Sequence, residues 1–265
     1  MTDQAHPETW FISYPGSGYT WMTCLVHQVL LRHFEVKNPP NFREIHLFHE
    51  QDSSIPLIMF THGVAPYYSS AAAIKADKSE HRNRNIALIV RDPRDVIISC
   101  YFKHVKQTET FVYGAMQKFE GTLSEYLRDE LYGIEGLVVW LNNWAGQRYV
   151  PRSFSLIRYT DMIENTHVQL KRALDIIGIN DVAEHIIGDA VQHCSFENMQ
   201  AMENDGKKGK TWFYWVDPTD PESHRMRRGK VGGYTDYMNE EDIQYVNTIM
   251  KGLNPFFGYL AGGAA

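Results

Sequence analysis

The sequence predicts an α/β fold: a central parallel sheet with helices on both faces. Three observations carry that expectation. Four short apolar runs, Trp10 to Tyr14, Pro56 to Thr61, Ile86 to Val90 and Phe154 to Arg158, are each bounded by Gly, Pro or polar residues, as buried parallel strands are. Helical patterns separate them, over Thr20 to Arg32, Pro93 to His104, Leu137 to Arg148, and Asn165 to Ile177 ending at Gly178. Such alternation is the signature of βαβ units. The third observation is the Gly/Ser-rich turn that joins the first strand to the first helix.

Two more helices follow, Asp181 to His193 and Glu240 to Lys251, the second with Asn239 as N-cap and acidic residues in its first turn. A chain of 265 residues, 43% apolar and 22% charged, fits one domain over 1–265, and no repeat or linker divides it. A net charge of −6 argues against a nucleic-acid partner. Cys24, Cys100 and Cys194 are too far apart for a metal site, and their odd number points to reduced, buried thiols in a cytoplasmic protein. The polar first ten residues hold no secretory signal, and no apolar run approaches the roughly 20 residues that span a bilayer. The expectation is a soluble protein with no membrane partner.

Two stretches read as loops. Residues 204–224 hold Lys207, Lys208 and Lys210, then the aromatic run Trp212-Phe213-Tyr214-Trp215, then Pro218 and Pro221. A polar loop of about 20 residues in a compact domain suggests a lid, or else a surface loop pinned by its aromatics. Residues 103–132 form the second loop-rich region.

The chemistry-bearing residues lie at strand ends. After the first strand comes Tyr14-Pro15-Gly16-Ser17-Gly18-Tyr19-Thr20-Trp21, a turn that aims backbone N–H groups and a helix N-terminus at one point, which is an anion site. It is not a Walker A loop, since no Gly-Lys-Ser/Thr follows at the required spacing. After the third strand comes Arg91-Asp92-Pro93-Arg94-Asp95, with Ser99 two helical turns on. Arg and Ser suit a phosphate, although Asp/Arg ion pairs at a helix start account for the string equally well. Arg227-Arg228-Gly229 is a third basic segment, readable as an anion site with close backbone approach or as a solvated run. His62 ends the second strand; an imidazole there suits a general base, but a lone histidine among twelve also fits a structural role.

Taken in order, these segments resemble the sulfotransferases that use 3′-phosphoadenosine-5′-phosphosulfate (PAPS). Tyr-Pro-x-Ser-Gly-x-Thr-Trp is similar to their 5′-phosphosulfate loop, Arg91 with Ser99 and Arg227 to Gly229 to their 3′-phosphate site, and Phe60-Thr61-His62 to the segment carrying their catalytic base. Arg158-Tyr159-Thr160-Asp161-Met162 resembles the segment whose Tyr contacts adenine. Cys194-Ser195-Phe196 resembles the one whose Phe packs on the base, and Trp140 to Trp144 a Trp-rich helix. The resemblance runs from Trp10 to about Gly258. It implies a P-loop-kinase-like sulfotransferase fold and transfer of a sulfuryl group from PAPS to a hydroxyl or amine of a small-molecule acceptor. His62 would be the base, 3′,5′-ADP the spent cofactor, and no metal would be needed. The family's C-terminal dimer motif is not recognisable between Tyr237 and Asp242, so the sequence leaves oligomeric state open.

Gly16 and Phe60 depart from that pattern, each standing where the family carries Lys. Three accounts are open: another cation (Lys103, Lys106, Lys207, Lys208 or Lys210) reaches the site; backbone N–H groups of Ser17 to Thr20 with the Ser17 and Thr20 hydroxyls suffice; or the chain binds the nucleotide and transfers poorly. The second is favoured. The competing functions are a nucleotide or small-molecule kinase, which would need the absent loop lysine, and a nucleotide-binding protein with weakened transferase activity. Tyr67, Tyr68, Tyr101, Phe102 and the lid aromatics are candidates to line an acceptor pocket or to pack the core.

Overall fold

A computed structural model describes residues 8–63, 69–106, 118–205 and 219–259. Its strands are β1 (Thr9–Ser13), β2 (Ile58–Thr61), β3 (Asn85–Val90) and β4 (Ser153–Arg158). The helices are α1 (Tyr19–His33), α2 (Leu47–Gln51), α3 (Pro93–Lys106), α4 (Leu123–Arg128), α5 (Ile134–Gln147), α6 (Tyr159–Glu164), α7 (Thr166–Ile177), α8 (Glu184–His193), α9 (Phe196–Asp205) and α10 (Glu240–Met250). They are divided between two compact units. One draws on Met1–Ala65, Lys75–Arg91 and Asn143–Cys194, the other on Pro66–Ile74, Asp92–Asn142 and Ser195–Ala265.

The first unit holds the whole sheet. Its strands are parallel in the order β2-β1-β3-β4, with Phe11 beside Phe60 on one side and Ala87 on the other. All four apolar runs are strands, with their bounds moved by one or two residues. Phe11, Ile12, Leu88, Ile89 and Ile157 are shut off from solvent, as expected of strands covered on both faces. Because β2 and β3 lie on opposite sides of β1, the strand order reverses there. Such a switch point opens a crevice at the carboxyl ends of the flanking strands, where α/β sheets place ligands. Helices α1, α7 and α8 pack on one another, α7 on β3 and α6 on β4. Helix α7 stops at Gly178 (φ 92°), whose N–H and that of Ile179 both donate to the Leu174 carbonyl. Helix α6 was not anticipated: it is six residues long and starts directly from the last residue of β4.

In the second unit α3 begins at Pro93, a residue pre-set for a first helical position. The loop-rich expectation for 103–132 is corrected by α4, which a reciprocal Thr122–Glu125 capping box starts. Asn239 caps α10 as expected, its Oδ1 accepting the Asp242 N–H at 2.8 Å. Helix α9 runs to Asp205, so the first two residues of the loop expected over 204–224 are helical instead.

His104, at the end of α3, is buried, and its Nδ1 is hydrogen-bonded to the Tyr126 hydroxyl at 2.6 Å. Burial lowers its pKa to about 4. The unfolded chain therefore binds this proton more readily than the native state. The His104 contribution is complete above about pH 6.5 and is lost as pH falls toward 4, on the order of 3 kcal/mol in total. Urea midpoints at pH 7 and pH 4.5 should fall further apart for the wild type than for His104→Gln. Equal falls would take the effect away from His104.

Candidate active site

In the first unit the chain turns from β1 to α1 through two glycines in the left-handed region, Gly16 (φ 91°) and Gly18 (φ 104°). The Ser17 N–H closes the turn on the Tyr14 carbonyl at 3.2 Å, and the Ser17 side chain is buried. A Cβ on Gly18 would lie 2.9 Å from Cδ2 of Tyr159, so both the backbone angle and the close ring require glycine. Helix α1 starts at Tyr19, and its first-turn N–H groups, with those of Thr20 and Trp21, have no carbonyl within the helix to meet. Together with the positive end of the helix dipole they suit a phosphate.

The loop is braced by the other residues expected at the cofactor. Arg91, just past β3, donates from Nη1 to the Gly16 carbonyl at 3.3 Å and lies 4.5 Å over the Tyr159 ring. Trp21 meets the same ring edge-on at 5.9 Å and donates from Nε1 to the Cys194 carbonyl at 2.8 Å. Gly16, Gly18, Trp21, Arg91, Tyr159 and Cys194 are thus in one place. Cys194 Sγ is 2.7 Å from that of Cys24, and burial raises its thiol pKa. Cys24, Cys100 and Cys194 are buried free cysteines.

His62 follows the end of β2 directly. Its Nδ1 lies 3.0 Å from the Ser13 carbonyl oxygen and 3.2 Å from Ser13 Oγ. A carbonyl only accepts, so Nδ1 is the donor in that contact, and Nε2 is the ring nitrogen that a general base would use. The Tyr19 ring leans on the imidazole, 4.5 Å between centroids. Phe60, which stands in place of a lysine, is stacked on Phe11 at 4.5 Å and meets Tyr19 edge-on at 5.7 Å. It is a packing residue of the sheet. Ser13 escaped the sequence reading; only the β1–β2 register, which pairs Ile12 with Thr61, brings it beside His62.

In the second unit Ser99 is partly exposed on α3, while its neighbours 92–98 and Cys100 are buried. Ser195 caps α9, its Oγ accepting the Asn198 N–H at 3.3 Å. Gly229 (φ 60°) passes so near the Phe196 ring that a Cβ would be 3.0 Å from it. Arg227 Nη1 is 2.9 Å from Glu222 Oε2, and Arg228 bridges Glu222 Oε1 and Asp236 Oδ2 at 3.1 Å each. Asp95 accepts the N–H groups of Gly232 (2.9 Å) and Tyr234 (3.0 Å), which fixes the chain beyond this segment. Asp92 and Arg94 form a buried ion pair at 2.6 Å, so for these two residues the ion-pair account of the Arg-Asp-Pro-Arg-Asp string holds. Neither Asp95 nor Glu222 was singled out from sequence, since an acidic residue near arginines reads as surface.

Of the candidate replacement cations, Lys106 is paired with Asp220 at 2.8 Å. Lys207, Lys208, Lys210 and the aromatics Trp212 to Trp215 of the expected lid, and Tyr67 and Tyr68, lie outside the described residues. Among the described residues no group of three His, Cys, Asp or Glu side chains could hold a metal ion, and no helix is long and apolar enough to cross a membrane.

A sulfotransferase domain model matches residues 6–254, nearly the whole chain. This chain belongs to the sulfotransferase family. Cytosolic sulfotransferase 12 of Arabidopsis thaliana is 25% identical over 262 residues, covering 91% of this chain and 75% of the relative. Flavonol 3-sulfotransferase of Flaveria bidentis is 24% identical, covering 94% and 83%. Among solved structures, mouse sulfotransferase SULT7A1 complexed with PAP has a TM-score of 0.61 at 17% identity, covering 94% of this chain and 85% of that one. Retinol dehydratase in a complex with retinol and PAP gives 0.59 at 18%, covering 92% and 80%. These two likenesses concern the fold. As a sulfotransferase the protein is an enzyme of sulfuryl transfer, and the kinase alternative falls.

Proposed function

We propose that this sulfotransferase moves the sulfuryl group of PAPS to a hydroxyl or amine of a small-molecule acceptor, with His62 as general base. The observation that carries the reading is His62 beside the β1 loop, with Nδ1 against the Ser13 carbonyl, which leaves Nε2 for the acceptor. The residues present fit the cofactor: an N-terminal helix turn with unmatched N–H groups, and a glycine backbone pressed against Phe196. Residues Gly16 to Thr20 would hold the 5′ end. Arg91, Trp21 and Tyr159 of the first unit are proposed cofactor contacts, as are Ser99, Phe196 and Arg227 to Gly229 of the second. Bound PAPS supplies the activated sulfuryl group. His62 Nε2 would take the acceptor's proton, and the α1 amides, with the Ser17 and Thr20 hydroxyls, would stabilise negative charge on the leaving phosphate.

The family match spans both units and supports reading 1–265 as one sulfotransferase domain. Two relatives are flavonol sulfotransferases, which makes a phenol the first acceptor class to test. Several relatives are named cytosolic, and we assign this chain to the cytoplasm on that basis. Calorimetry tests the cofactor: 3′,5′-ADP is expected to bind and ATP with Mg²⁺ to show no heat. Tight binding of ATP with none of 3′,5′-ADP would overturn the assignment.

A further inference from the structure

Tyr19 stands in the phosphate loop, where its backbone N–H faces the expected phosphate, but its side chain turns elsewhere. The hydroxyl donates to the Phe60 carbonyl at 3.1 Å, which ties the start of α1 to the last turn of β2. Burial holds its pKa above the ordinary value, opposed by the Arg43 charge, so the phenol is a neutral donor. The ring, fixed at its hydroxyl end, leans on His62 with centroids 4.5 Å apart and planes at 43°. On the other side, the Ser13 carbonyl and Oγ meet His62 Nδ1 at 3.0 and 3.2 Å. The imidazole is therefore held at two points, through Nδ1 by Ser13 and by the tilted Tyr19 ring.

We propose that the Tyr19 side chain is a positioning residue for His62, working with the Ser13 carbonyl to hold the imidazole in its Nδ1–H tautomer. This deepens the proposed function and rests on His62 being its base. The Ser13 contact fixes which nitrogen carries the proton only while the ring stays in the plane that points Nδ1 at that carbonyl. A histidine after a strand end has two side-chain torsions to swing through, and the Tyr19 ring packed against the imidazole limits that swing. The hydroxyl tether matters because an untethered ring would move with the imidazole. Gly16 and Gly18 let the chain enter α1 at an angle that brings this residue over β2. The loop thus divides its duties: main-chain amides for the anion, one side chain for the base.

Nitrogen NMR of the ¹⁵N-histidine-labelled enzyme reads the tautomer without acceptor or cofactor, the His62 signals being identified by their loss in His62→Gln. The wild type is expected to show Nδ1–H with an unprotonated Nε2. In Tyr19→Ala the pattern should relax to the mixed tautomers of a solvated imidazole, with kcat lower by about 10- to 100-fold and the 3′,5′-ADP dissociation constant within about twofold. Tyr19→Phe keeps the ring, removes the tether and should fall between the two on both readouts. An unchanged His62 tautomer in Tyr19→Ala overturns the proposal, as does an affinity loss for 3′,5′-ADP that matches the loss in kcat. Failure of the underlying reading looks different: His62→Gln would then turn over like the wild type, whatever Tyr19 does to the NMR pattern.

Discussion

Replacing His62 by glutamine is expected to lower turnover with PAPS and a phenolic acceptor by about 10²- to 10⁴-fold, the range that positioned proton transfer supplies. Glutamine is close to histidine in volume, so the local fold should survive while the basic nitrogen is lost. Binding of 3′,5′-ADP, measured by calorimetry, should be nearly unchanged, because His62 faces the acceptor side in the proposed mechanism. Unaltered turnover would remove His62 from the base role. A parallel loss of nucleotide binding would assign it to the cofactor instead.

Removing Asp92 is expected to cost about 3–5 kcal/mol of stability, because it strands a buried guanidinium. Arg94 has 3% and Asp92 2% of its side chain exposed. Asp92 Oδ1 accepts from both the Arg94 N–H and Nε at 2.9 Å, while Oδ2 takes Nη2 at 2.6 Å. The fork is thus filled by one carboxylate, with Nη1 reaching Asn247 Oδ1 at 3.4 Å. Urea unfolding of Asp92→Ala should show the full loss, and Asp92→Ala with Arg94→Met should recover much of it, since an apolar pair of similar volume carries no desolvation cost. A loss under about 1 kcal/mol for the single variant would mean that water reaches Arg94.

The sheet was legible because each strand is a short apolar run between breakers, and burial on both faces leaves no polar alternation to confuse the pattern. Helices α2, α4, α6 and α9 were missed. The first three have only five or six residues, and such short helices owe their existence to caps and tertiary packing more than to an apolar period. For the site, residue types at strand ends were enough to select His62, Arg91 and the β1 loop. Pairwise relations were not: that Ser13 meets His62, or that Arg91 splits from Arg94 three positions away, depends on register and helix phase. Gly16 shows the limit most clearly. As a letter it is a missing lysine, while at φ 91° it is a backbone conformation that lysine rarely adopts, so the change lies in the path of the loop as much as in its charge.

The ion pairs on Arg227 and Arg228 bear on the proposed role of these residues as the 3′-phosphate site. Both guanidiniums rest on the Glu222 carboxylate, which Tyr237 also holds through its hydroxyl at 2.9 and 3.0 Å. An arriving 3′-phosphate would meet a site whose charge is already answered, and would have to trade places with a side chain of the chain's own. Association then becomes an exchange of one anion for another. The number of small ions set free on binding shrinks accordingly, and so does the grip of ionic strength on affinity.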